Sequence, residues 1–160
     1  MIIIVDGIDK VGKTTLCELL SKEFGLNISK DDTRYFGSHS NIDINTEKDN
    51  TFVNLIEQGC LDNVIFDRFH MTEYVYSKVE RGKENRYMLD IDERLSKQDV
   101  IMILVFPVDI NWSSRMHGSD LSLHQKEFEM FYKNSKIKKK YRCTHVTYDV
   151  VLNQIKKEIL

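Results

Sequence analysis

Ile2-Ile3-Ile4-Val5-Asp6-Gly7-Ile8-Asp9-Lys10-Val11-Gly12-Lys13-Thr14-Thr15-Leu16 decides the reading of this chain. It opens on a continuous apolar run, breaks at a turn bounded by Gly7 and Gly12, and passes into a segment whose Leu16, Leu19, Leu20 and Phe24 share one helical face. An unbroken apolar run, rather than an alternation, predicts a strand covered on both faces, as in a parallel sheet. Gly25 is placed to stop the helix that follows.

Working outward, the same pattern recurs. Val64–Phe66 and Val100–Phe106 are further doubly covered strands, with shorter candidates at His145–Tyr148 and Asn27–Ser29. Between them the period becomes helical. Phe52, Leu55 and Ile56 mark one helix, which Gly59 can end; Tyr74, Val75 and Val79 mark another; Tyr87, Met88, Ile91 and Leu95 mark a third. Ser122-Leu123-His124-Gln125 fits a capping box opening a helix with Phe128, Phe131 and Tyr132 on its apolar face, and Leu152, Ile155 and Ile159 form a last helix. The fold class is therefore α/β, a parallel sheet of about five strands flanked by helices. Such sheets bind ligands beyond the carboxyl ends of their strands, which places the chemistry after Val5, Phe66 and Phe106.

Composition sets the frame. The 160 residues, with 41% apolar and 30% charged side chains, fit a single domain spanning 1–160. A formal charge of −2, from 23 basic and 25 acidic residues, gives no global pull toward nucleic acid or an anionic membrane. Cys17, Cys60 and Cys143 are odd in number and in no CxxC spacing, which argues against a disulfide framework or a cysteine-built zinc site and suits a cytoplasmic location. No apolar run nears the ~20 residues that span a bilayer, and the N-terminus lacks the basic start of a signal peptide.

The turn itself, Gly7-Ile8-Asp9-Lys10-Val11-Gly12-Lys13-Thr14, satisfies G-x-x-x-x-G-K-[ST]. Glycines let the backbone aim its N–H groups at phosphate oxygens, and the start of the next helix adds partial positive charge. Lys13 would bridge the outer phosphates of a nucleotide and the Thr14 hydroxyl would hold Mg²⁺. Gly7, Asp9, Lys10, Val11, Gly12, Lys13, Thr14 and Thr15 are thus the candidate ATP-phosphate residues. A second signal follows Val64-Ile65-Phe66: Asp67, an acid at a strand end that would help organise Mg²⁺, with the anion-binding Arg68 beside it. The pair suggests that a second phosphate is held.

Gly7-Ile8-Asp9 with Gly12-Lys13-Thr14-Thr15, then Asp67-Arg68-Phe69, resembles thymidylate kinase and its relatives among the deoxynucleoside monophosphate kinases. Asp99–Met116, with Val105-Phe106-Pro107 and Arg115, is similar to that family's strand, proline bend and arginine-bearing helix. The resemblance implies an ATP-dependent kinase using Mg²⁺ and acting on a small nucleotide, dTMP or a related pyrimidine monophosphate. It implies that Arg68 holds the acceptor's 5′-phosphate, that Asp9 meets its 3′-hydroxyl and steadies Arg68, and that Asp67 acts through Mg²⁺ and its waters. Lys13, Lys10, Arg68 and Asp67 are then the catalytic set, Thr14 and Asp67 the metal set, and Arg115 a further contact to ATP. Arg34 falls where the family has an arginine on the acceptor phosphate, and Thr72, Tyr76 and Ser77 where it has contacts to the base. Phe52 stands near the place of a phenylalanine stacked on thymine, although helical periodicity equally makes it core. The family is often dimeric, which leaves a homodimer open.

The chain also departs from the pattern. It is shorter than most members, and its lid, around 115–124, is short with a single arginine. Lys10 stands where one branch of the family has arginine, and a point charge cannot form a bidentate fork. His117 and His124 read as solvent-facing loop and helix-start histidines, with a contribution of charge or hydrogen bonds as the alternative. Lys136, Lys138, Lys139, Lys140 and Arg142 suit a helix C-terminus, where cations complement the dipole, and leave nucleic acid as a lesser alternative. Two other functions stay open: a kinase of a nucleoside or hydroxymethyl-pyrimidine hydroxyl, free or in DNA, and a nucleotide-binding regulatory module without transfer.

Overall fold

The computed structural model describes residues 1–30 and 42–159. β1 (Ile2–Asp6), β3 (Val64–Asp67) and β4 (Val100–Val105) are the continuous apolar runs, and every residue in them is buried. β2 (Asn27–Lys30) and β5 (Lys139–Cys143) complete an all-parallel sheet in the order β2-β3-β1-β4-β5. β1 is therefore bonded on both sides, with Val5 opposite Asp67 in β3 and Asp6 opposite Leu104 in β4.

The helices are α1 (Lys13–Phe24), α2 (Ile42–Glu57), α3 (His70–Val79), α4 (Tyr87–Leu95), α5 (Ile110–His117), α6 (Ser122–Asn134) and α7 (Tyr148–Ile159). α1 lies along β1, β2 and β3, α6 against β4 and α7 against β5, while α2, α3, α4 and α6 pack on one another. Gly25 ends α1 in the left-handed conformation at φ 67°, as expected from its position after the apolar face. Among the described residues, no helix is long and apolar enough to cross a membrane.

Three expectations are corrected. The last strand is Lys139–Cys143, not His145–Tyr148, and Tyr148 begins α7 instead. β5 is an edge strand with half-exposed residues, so its lysines and arginine hide it from a search for apolar runs. The basic run consequently does not lie on a helix end, since α6 stops at Asn134. Four of its five side chains are nevertheless engaged. Lys140 donates to the carbonyls of Tyr132 and Ser135 at the end of α6, Lys136 and Lys139 pair with Glu93 and Asp99, and Arg142 pairs with Glu129. Finally, the capping box does not form. Ser122 is already helical, and its N–H is taken by Asp120 at 2.9 Å.

α3, α4 and the end of α6 are joined by a buried polar centre. Asp92 accepts from Ser135 Oγ at 2.7 Å and from the Lys136 N–H at 2.8 Å, and lies 3.0 Å from His70 Nε2. Burial alone would raise its carboxyl, but His70 and these donors outweigh that and hold it below the ordinary value of 3.8. Asp92→Ala, which orphans these buried donors, is expected to cost about 3 kcal/mol in urea unfolding. Because the folded carboxyl is depressed, its contribution is complete above about pH 3.8 and lost as pH falls further. Acid unfolding should accordingly be shallower in the variant than in the parent chain.

Candidate functional site

The sheet sets the site by ending two neighbouring strands at one level. β1 ends in Asp6, a fully buried carboxylate. Its Oδ1 accepts the Phe69 N–H at 3.0 Å and the Thr72 hydroxyl at 2.5 Å, bolting the turn after β3 to the end of β1. Within that turn Arg68 adopts φ 76°, and its N–H bonds Val5 O at 3.0 Å. A left-handed non-glycine residue costs free energy, and here surrounding hydrogen bonds enforce it. The result aims the guanidinium back at the glycine-bounded loop, where its Nη2 lies 2.6 Å from Asp9 Oδ1.

The loop is tight. At Gly7, φ is 149° and a Cβ would come within 2.2 Å of the Val105 carbonyl, so no side chain fits. Lys13 is 5% exposed and folds back to donate to Ile8 O at 2.5 Å. Burial, helped by the nearby Arg68 charge, pushes its ammonium down to about 8, although Asp9, Asp67 and Asp6 oppose the shift. Thr14 Oγ1 donates to Asp67 Oδ2 at 2.8 Å. These two oxygens are hard donors suited to a divalent cation such as Mg²⁺. Among the described residues no group of three His, Cys, Asp or Glu could hold a metal on its own. Further ligands would come from phosphate oxygens and water.

Asp9 is the hub. Burial alone would raise its carboxyl, but Arg68, Lys13 and His117 outweigh burial and hold it below the usual carboxylate range. His117 Nε2, at the last turn of α5, lies 3.1 Å from Asp9 Oδ2, and its Nδ1 shares a hydrogen bond with Ser119. Beside them is a cavity of about 320 Å³ whose wall includes Asp9, Arg68, Phe69, Thr72, Tyr76 and His117. Burial and the Asp9 charge push the Tyr76 phenol up. Deeper in the cavity wall, Glu73 accepts from Asn45 at 2.8 Å and pairs with Arg81 at 2.6 Å. A second cleft, of about 260 Å³, adjoins the loop and is lined by Lys10, Val11, Pro107, Val108, Trp112 and His145.

The fold thus brings together Gly7, Asp9, Gly12, Lys13, Thr14, Asp67, Arg68, Thr72 and Tyr76. Lys10 is exposed on the second cleft at φ 61°, Val11 is buried beneath it, and Thr15 is exposed on the first turn of α1. Phe52 does not line the larger cavity; it packs edge-on against Phe66 and Phe69, with centroids 5.2 and 6.2 Å away. Arg115 is exposed on α5 and bonded to no described residue, and Arg34 lies outside the described residues. Four contributors are absent from the sequence-based candidate set: His117, Asp6, the Asn45–Glu73–Arg81 group, and Tyr148, whose hydroxyl reaches Gly12 O. Only Asp6, a charge closing an apolar strand before a glycine, could have been singled out.

Solved structures share this fold. The chain superposes on the YorR protein of Bacillus subtilis, in complex with phosphorylated GDP, with a TM-score of 0.74 at 20% identity, covering 99% of this chain and 95% of that one. The fold is that of the P-loop nucleotide kinases. Deoxyadenosine kinase of M. mycoides, with dCMP and dCDP bound, gives 0.61 at 17% identity over 98% and 100% of the two chains. Thymidylate kinase of Candida albicans gives 0.51 at 19% identity over 99% and 90%. No family model and no curated protein sequence matches the chain.

The depressed Lys13 ammonium makes a testable statement about the loop. Below about pH 8 it carries the charge that a phosphate needs; above, it must take up a proton on binding. Calorimetric titration with metal-free ADP should show affinity falling as pH rises through about 8, by up to about tenfold per pH unit. An affinity that stays flat across that range would contradict the assigned role.

Proposed function

We propose that this chain transfers the γ-phosphoryl group of ATP to a deoxynucleoside 5′-monophosphate, dTMP or a related pyrimidine nucleotide. The observation that carries the reading is the position of Arg68. Its guanidinium faces the glycine-bounded loop and stands on the wall of a 320 Å³ cavity, while a separate 260 Å³ cleft opens beside the same loop. Two ligands can therefore meet at the loop, one on each side. A switch that only binds nucleotide has no use for the second cavity and its arginine.

In this reading the loop N–H groups and Lys13 hold the donor's phosphates, and Lys10 approaches them from the second cleft. Arg68 turns toward the acceptor's phosphate, while Asp9 restrains its guanidinium and meets a sugar hydroxyl. Thr72 and Tyr76 line the acceptor's side. No protein nucleophile is required, because catalysis rests on holding two phosphates in line and offsetting the charge between them. Thr14 and Asp67 would hold Mg²⁺, which when bound supplies neutralising charge to the phosphates. The donor's base would lie against Trp112, the single tryptophan of the chain, which is 49% exposed on the second cleft. The unpaired cysteines, two buried and one exposed, accord with a reducing cytoplasmic setting.

A panel of nucleoside monophosphates, nucleosides and DNA offered with labelled ATP and Mg²⁺ tests the reading. Turnover should be confined to a deoxynucleoside monophosphate, and Lys13→Ala should abolish it. Arg68→Ala should lower kcat/KM for the acceptor by about 100-fold or more; unchanged kinetics would refute the role given to Arg68. Binding of ADP should quench the emission of Trp112, and Trp112→Ala should raise the ATP KM several-fold. Transfer to nucleosides alone would move the acceptor class to a sugar hydroxyl.

A further inference from the structure

The start of α7 touches the phosphate loop at a point that neither the motif nor the catalytic set explains. The Tyr148 hydroxyl donates to the Gly12 carbonyl at 2.7 Å, between residues 136 positions apart in the chain. Its side chain is 7% exposed, and a Cβ placed on Gly12 would come within 2.3 Å of the hydroxyl oxygen. The contact is thus built into the loop's shape. The same carbonyl accepts the Leu16 N–H at 3.2 Å, the first helical bond of α1. Both of its lone pairs are therefore used.

We propose that Tyr148 is a positioning residue for donor binding, which fixes the Gly12–Lys13 peptide so that the Lys13 N–H faces the donor's phosphates. The reason is peptide geometry. Every peptide bond described is trans, and across a trans peptide the carbonyl and the following N–H point in opposite directions. A carbonyl held by two donors on the helix side leaves the next N–H aimed outward, into the loop's hollow. Gly12, at φ 98° and ψ 18°, has no side chain to hinder rotation of that peptide, so restraint has to come from outside the loop. Tyr148 supplies it from α7. Burial, with smaller contributions from Cys143 and Cys17, pushes the phenol up to about 12, so it remains a donor at neutral pH. The helix does not depend on this bond for its place, since Val151 and Ile155 anchor its apolar face in the core.

The inference rests on the loop binding donor phosphates, and its test separates the two claims. Calorimetric titrations with inorganic pyrophosphate and with Mg–ADP would compare the parent chain, Tyr148→Phe and Leu152→Ala. The last removes a partly buried contact elsewhere on α7 and serves as the control for loss of stability. Tyr148→Phe should weaken both ligands about 3- to 10-fold with little change in Tm, and should shift the Lys13 amide resonance. Leu152→Ala should lower Tm and leave both affinities as they were. Equal pyrophosphate affinity in the parent and Tyr148→Phe chains overturns the inference alone. Failure of the parent chain to bind either ligand overturns the phosphate-loop reading and the inference together. Should the phenylalanine variant fold poorly, a ¹³Cζ-tyrosine label on the parent chain reads the same contact. The Tyr148 resonance should move when pyrophosphate binds, and a still resonance counts against the proposal.

Discussion

The site depends on one constraint, the pairing of β1 between β3 and β4. Because β1 is covered on both faces and bonded on both edges, its register is held firmly: a one-residue slip would turn every side chain to the opposite face. That register sets Val5 beside Asp67 and Asp6 beside Leu104. The glycine loop and the Asp67–Arg68 turn therefore leave the sheet side by side. Asp6 then converts closeness into fixed geometry by bonding both Phe69 and Thr72. The unusual backbone of Arg68 is a consequence, not an accident of the loop.

The second layer is electrostatic. Lys13, Arg68 and His117 converge on Asp9 within a partly desolvated wall, where charges interact more strongly than in water. Lys13 has its ammonium pushed down mainly by burial, and it donates to the Ile8 carbonyl. A phosphate entering the loop would replace the Ile8 carbonyl as the partner of that ammonium.

The short α5–α6 connection uses its residues differently from a lid that closes with arginines. Arg115 faces solvent, whereas His117, two residues on, turns back to Asp9. Gly118, in the left-handed conformation at φ 89°, ends α5 at that point and lets the chain reverse. Nothing in the local pattern distinguishes the two side chains; their roles come from how α5 is set against the loop.

Much of the fold was legible in the order of residues because its strong signals are local. Ile2–Val5, Val64–Phe66 and Val100–Phe106 are strands since an unbroken apolar run has to be covered on both faces. The loop from Gly7 to Thr14 carries the G-x-x-x-x-G-K-[ST] pattern, from which a phosphate cradle is expected. β5 escaped because an edge strand need not be apolar, and Phe52 stayed ambiguous because core and base stack share a helical period. The contacts that His117 and Tyr148 make could not be read at all. Short-range chemistry shapes a turn or a helix face from neighbours in the chain. Which distant side chain arrives at Asp9 or at the Gly12 carbonyl is decided only when helices pack on the sheet.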